Sequence, residues 1–140
     1  MTSSYDAAIN YGRQVPTRLP FSDAIDRVKL LLEGEGFGVL CDIDVAATLH
    51  KKLGESFRPY RILGACNPGL AHRALVAEPQ IGLLLPCNLV VQEVEGQTFV
   101  SAVNARAMLG VVENHALSAI ADEATASLER VLNAIAEGAS

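Results

Sequence analysis

Only Glu95 and Gly96 separate two strand-like runs, Cys87–Val94 and Gln97–Val103. A connection that short permits nothing but an antiparallel hairpin. Further along, Leu117, Ile120, Ala121, Ala124, Leu128, Val131, Leu132 and Ile135 recur at helical spacing. Glu123, Glu129, Arg130 and Asn133 lie off that stripe, so a long amphipathic helix is expected, starting at Asn114. A hairpin-containing sheet with a long C-terminal helix is an α+β pattern.

The rest of the chain alternates strand and helix signals at short spacing. Residues 7–15 read as one strand, bracketed at its exit by Pro16 and Pro20. Phe21, Ala24, Ile25, Val28, Leu31 and Leu32 then repeat at helical spacing, with Leu30 opposite the stripe and Gly34 and Gly36 as stop signals. Residues 38–43 form a short apolar strand that places Cys41 in the core. Asp44 is an N-cap for a helix over Val45–Leu53, which ends in Lys51, Lys52 and Gly54. A strand near 60–63 leads through Gly64-Ala65-Cys66 to Asn67-Pro68, an N-cap followed by proline at the first helical position. That helix should stop before Pro79. Asn104 is expected to cap a single turn reaching Met108.

These elements predict one domain over residues 1–140. Its sheet is curved, mixed or antiparallel, with helices mainly on one face. The other face needs short helices or a second subunit to cover residues such as Val90, Val94 and Val100. A homodimer is therefore expected.

Composition excludes several classes. The formal charge is −5, with no clustered basic run, which argues against nucleic acid as a partner. The longest apolar stretch, 81–87, is interrupted by Pro86 and falls far short of a membrane span. The N-terminus lacks the basic start and apolar run of a signal peptide. Three cysteines, with no CxxC pair and one left over, suit a reducing cytoplasm. No Walker loop, dinucleotide fingerprint, HExxH or GxSxG motif occurs, and no cofactor can be named.

Three stretches carry a family resemblance. The first is Gly36-Phe37-Gly38-Val39-Leu40 with Asp42-Ile43-Asp44-Val45. The second is Phe57-Arg58-Pro59-Tyr60-Arg61-Ile62-Leu63-Gly64-Ala65-Cys66-Asn67-Pro68, continued by Leu70-Ala71-His72-Arg73-Ala74-Leu75. The third is Ile81-Gly82-Leu83-Leu84-Leu85-Pro86-Cys87-Asn88. Over residues 21–109 the chain resembles the family called domain of unknown function 302. The resemblance implies a compact α+β fold with an antiparallel sheet and a dimer. It implies no activity.

The chemistry-bearing residues leave three functions open. Cys66 stands just before a helix start, where free amides and the helix dipole favour a thiolate. It reads first as a small buried hydrophobe at a strand-to-helix turn. Cys-Asn recurs at Cys66-Asn67 and Cys87-Asn88, which suggests two loops side by side. The first reading is an accessory module that takes a small-molecule ligand at the 64–68 turn, using Asn67, Pro68, Gly69, His72, Arg58 and Asn88. Gly69 would allow close approach to the helix N-terminus. Arg58 and Arg61 would fall on opposite strand faces, so one at most can help. The second is thiol redox or sulfur transfer, with Cys66 and Cys87 as the catalytic pair. The third is metal or haem binding through Cys66, Cys87 and His72, although their spacing matches no zinc pattern. Asp42 and Asp44 read as a strand end and a helix cap.

Overall fold

The computed structural model describes residues 7–137. The stretch read above for targeting signals lies outside the described residues. Six strands form one antiparallel sheet: β1 (Ala7–Ile9), β2 (Gly12–Thr17), β3 (Gly38–Asp44), β4 (Tyr60–Cys66), β5 (Cys87–Val94) and β6 (Gln97–Val103). Their spatial order is β1-β2-β6-β5-β4-β3. The β5–β6 hairpin closes between Val94 and Gln97. Glu95 (φ 52°) and Gly96 (φ 83°) both take the left-handed conformation, the turn whose twist suits adjoining strands.

The single strand expected over 7–15 is in fact two, split by a turn at Asn10 and Tyr11. Within β2, Pro16 stands opposite Phe99 of β6.

Five α-helices follow the sheet's connections: α1 (Phe21–Gly34), α2 (Val45–Leu53), α3 (Pro68–Ala77), α4 (Ala105–Gly110) and α5 (Ser118–Glu137). Helix α1 stops because Gly36 adopts φ 83° and two reverse bonds close the end. These run from Gly36 N to Glu33 O and from Phe37 N to Leu32 O. The long helix begins later than its cap signal suggested. Asn114 caps a 3-10 turn, His115–Leu117, through a bond from Ala116 N to its Oδ1 at 3.0 Å. Its amide also donates to Ala77 O at 3.0 Å. A cap residue marks a helical start but does not distinguish the two helix types. A further 3-10 helix, Pro79–Leu84, leads into β5.

Helices α1 and α5 share one sheet face. Their inner residues, such as Val28, Leu32, Leu128 and Leu132, pack on Val15, Leu63, Leu89, Val91 and Val100. A satellite cluster of Ala74, Ile81, Leu109, Leu117, Ile120 and Ala121 joins α3, α4 and the start of α5. Val100, expected on the uncovered face, is thus fully buried beneath the helices. Strand alternation carries its neighbours Phe99 and Ser101 to the other side. Cys41, expected in the core, is exposed because β3 is an edge strand with a register shift between Val39 and Cys41.

Candidate functional site

The turn that carried most of the sequence-based expectations is built as an ordinary strand-to-helix junction. Asn67 Oδ1 accepts from Leu70 N at 3.1 Å, and its carbonyl accepts from Ala71 N at 2.8 Å. Pro68 has no N–H, so Gly69 alone keeps a free amide in that first turn. The hollow beside Cys66 and Leu70 has a volume of about 30 Å³, room for little more than a water molecule.

The expected ligand residues do not converge there. Arg58 stacks over Phe57, 4.5 Å from the ring centroid, and donates to Gln92 at 2.8 Å. Tyr60 and Cys66 are six residues apart along β4, so this cation lies about 20 Å from the turn. Arg61 does occupy the opposite face from Arg58, donating to both carboxylate oxygens of Asp42 at 3.0 Å. Partial burial alone would push the Asp42 carboxyl up. Hydrogen bonds from Lys29 and Arg61 outweigh it and hold the group below its ordinary range. Asp44 is the cap of α2, accepting from Ala47 N at 2.9 Å. His72 is exposed on α3.

The two Cys-Asn segments do lie side by side, since Gly64 pairs with Asn88 and Ala65 with Cys87 across β4 and β5. The thiols differ, however. Cys66 is half-buried and Cys87 is buried. Burial, assisted by the neighbouring Cys66, pushes the Cys87 thiol from 9.0 up to about 11. A thiol with that value is almost wholly protonated near neutrality, so Cys87 is not suited to be the attacking nucleophile. Among the described residues, no group of three or more His, Cys, Asp or Glu side chains is arranged to hold a metal ion.

This environment predicts an order of alkylation. With iodoacetamide near neutral pH, Cys41 should label first, Cys66 more slowly, and Cys87 only after unfolding. Burial holds the Cys87 thiol protonated and shields it from the reagent. Peptide mass spectrometry over time would read the order, and early labelling of Cys87 would contradict this burial. A raised folded pKa also means that stability from the neutral Cys87 thiol is complete below 9.0 and is lost as the pH climbs toward 11.

The sheet face turned away from α1 and α5 offers a larger site. Alternation and register set out its rows: Gln14, Ser101, Val90, Ile62 and Ile43, then Pro16, Phe99, Gln92 and Tyr60. Asn88, Gly64 and Cys41 make a third. None of these twelve positions carries a carboxylate, an ammonium or a guanidinium, in a chain with 16 acidic and 11 basic side chains. Between the β1–β2 hairpin and Tyr60 the face sinks into a trough of about 500 Å³. Gln14, Asn88, Gln92 and Ser101 supply hydrogen-bonding groups there, and Tyr11, Tyr60, Val90 and Val103 supply apolar surface. Arg13 also lines it, but its guanidinium meets Glu129 and Asn133 of α5.

Of the sequence-based candidates, Asn88 alone lines this trough. Gln14, Gln92, Ser101, Tyr11 and Tyr60 were missed because each is unremarkable singly. The available signal was the absence of charge at every second position in β2, β5 and β6.

A family model described as Domain of unknown function DUF302 matches residues 13–135. The fold is similar to the crystal structure of an uncharacterized conserved DUF302 protein from Bacillus stearothermophilus. That match has a TM-score of 0.83 and 32% identity, and covers 89% of this chain and 97% of the other. No curated protein matches the sequence.

Proposed function

The chain belongs to the DUF302 family, and on that footing we propose that it is a small-ligand-binding accessory module whose working surface is the trough in the sheet face turned away from α1 and α5. The carrying observation is the trough of about 500 Å³, within the range of small-molecule sites, where neutral hydrogen-bonding side chains converge over an apolar floor. A ligand here is uncharged, because an ion would lose its hydration with no opposite charge facing it. Arg58, already engaged by Gln92 and two aromatic rings, stands at the rim.

The module acts as a homodimer in this reading. Ile9, Tyr11, Leu40, Ile43, Phe57 and Val94 are exposed, and a second copy would cover apolar side chains of this kind. Three free thiols fit a reducing compartment, and we assign the protein to the cytoplasm. Among the described residues, no helix is long and apolar enough to cross a membrane.

Fragment titration followed by amide chemical shifts tests the ligand site. Uncharged heteroaromatic amides should perturb Gln14, Asn88, Gln92 and Ser101, and Ser101→Lys should weaken them about tenfold or more. Binders that map only to the 64–68 turn, or a preference for anions or cations, would overturn the assignment.

A further inference from the structure

Of the neutral polar side chains that line the trough, Gln92 has a fixed orientation. Arg58 Nε donates to Gln92 Oε1 at 2.8 Å. A guanidinium has donors and no acceptor, so the carboxamide must turn its oxygen to Arg58 and its nitrogen away. Gln92 lines the trough and Arg58 does not, so Oε1 is held at the rim and Nε2 is the atom left to face the trough. Arg58 is clamped in turn. Its guanidinium lies 4.5 Å from the Phe57 ring centroid and 5.5 Å from that of Tyr60. The two rings meet edge to face at 5.9 Å. The backbone beside Arg58 is anchored as well, because Glu93 N donates to Pro59 O at 3.0 Å and carries the β4–β5 pairing past Tyr60. Among the described residues, Gln14, Asn88 and Ser101 make no side-chain hydrogen bond within the chain, so each can turn to meet a donor or an acceptor. Gln92 lacks that freedom.

Resting on the reading of the trough as the ligand site, we propose that Gln92 selects ligands that present a hydrogen-bond acceptor to it, namely a carbonyl carried on an uncharged aromatic ring. Arg58 is the positioning residue that enforces this choice without touching the ligand. Tyr60 is the cross-strand neighbour of Gln92 and also lines the trough, so a flat ring bearing the carbonyl can pack beside the phenol. A ligand with an N–H or O–H at that position would set a donor against the donors of Nε2. Turning the carboxamide to receive it would deprive Arg58 of its acceptor. Arg58 does not act as an anion receptor instead, because an incoming carboxylate would have to break its bond to Gln92 and lift it from two rings.

Two neutral fragments of similar size separate the choices: coumarin, which offers a carbonyl and no donor, and indole, which offers an N–H and no lone-pair acceptor. Titrations on the full chain are followed by backbone and side-chain amide chemical shifts. Coumarin should bind about tenfold more tightly than indole and should shift the side-chain N–H resonances of Gln92. Gln92→Glu keeps an acceptor for Arg58 and replaces the nitrogen by an oxygen, so it should reverse the order. Arg58→Met alters an exposed residue, keeps an apolar stem beside Phe57 and frees the carboxamide. It should cut the ratio to about twofold while the Gln14 and Ser101 amides still respond to both fragments. Loss of selectivity with binding retained is a result that a purely structural role for Arg58 would not produce. The wild-type ratio carries the test if a variant fails to fold. Equal affinity for the two fragments in the trough, a preference for indole, or an unchanged ratio in Arg58→Met would overturn this inference and leave the trough as the ligand site. Fragments that perturb neither Gln14 nor Ser101 would overturn the trough reading itself.

Discussion

Replacing Leu132 with alanine is expected to lower the unfolding free energy by about 2–5 kcal/mol. Leu132 lies on the inner stripe of α5 and is 1% exposed. It belongs to the cluster that joins α1, α5 and the covered face of the sheet. Truncation loses the transfer free energy of the removed carbons and opens a cavity, because strands on one side and helix α1 on the other restrict collapse. Urea unfolding followed by circular dichroism would read the change as a shift in midpoint at constant slope. Leu30→Ala is the control: Leu30 is 59% exposed, so the change should stay within about 0.5 kcal/mol. A Leu132→Ala cost that small would mean that α5 does not close the core.

The contrast between these two leucines shows what the sequence made readable. Periodicity reports the side of a helix that meets the core, so the stripes of α1 and α5 could be assigned before any coordinates. The β5–β6 hairpin was equally legible, because a two-residue connection has one geometric solution. Cys41 was misplaced because an apolar run looks the same in an edge strand as in a central one, and strand order is a property of the whole sheet. Val100 was misplaced because its face depends on register, which a shift of one residue inverts.

The candidate site was less legible still. Its side chains come from β1, β2, β4, β5 and β6, so no short motif contains them. The conspicuous residues drew attention to the wrong place. Asn67, Pro68 and Gly69 have the composition of an anion-binding helix start, yet Asn67 itself accepts from Leu70 N and Ala71 N, and the hollow beside it is about 30 Å³. The same residue types that can bind a ligand also cap a helix, and only the bonding pattern separates the two roles. The α+β architecture with helices on one face was foreseeable, whereas the trough depended on how adjacent strands align.

Gly64→Ala is the substitution that joins the fold most directly to that face, and it should destabilise the protein by about 1–3 kcal/mol. Gly64 sits in β4 between Cys41 of β3 and Asn88 of β5. A Cβ there would lie 2.6 Å from Cys41 Sγ, 2.8 Å from Pro86 Cγ and 3.7 Å from Asn88 Oδ1. Steric crowding therefore outweighs the small entropic gain of alanine over glycine in a strand. The two close contacts differ in kind. Cys41 is an exposed edge residue whose sulfur can rotate away or be removed. Pro86 is a rigid ring immediately before β5. In a Cys41→Ala background the same Gly64→Ala change should therefore cost less, with a coupling of about 0.5 kcal/mol or more, but not nothing. A double-mutant cycle in urea measures this directly. Equal costs in both backgrounds would show that the sulfur does not press on Gly64. Complete rescue would show that Pro86 yields freely. The predicted intermediate result also bears on binding: with Cys41 and Pro86 crowded over Gly64, Asn88 shares a wall too tight to shift. Fragment contacts at Asn88 should therefore weaken in Gly64→Ala while those at Gln14 on the far side of the trough persist.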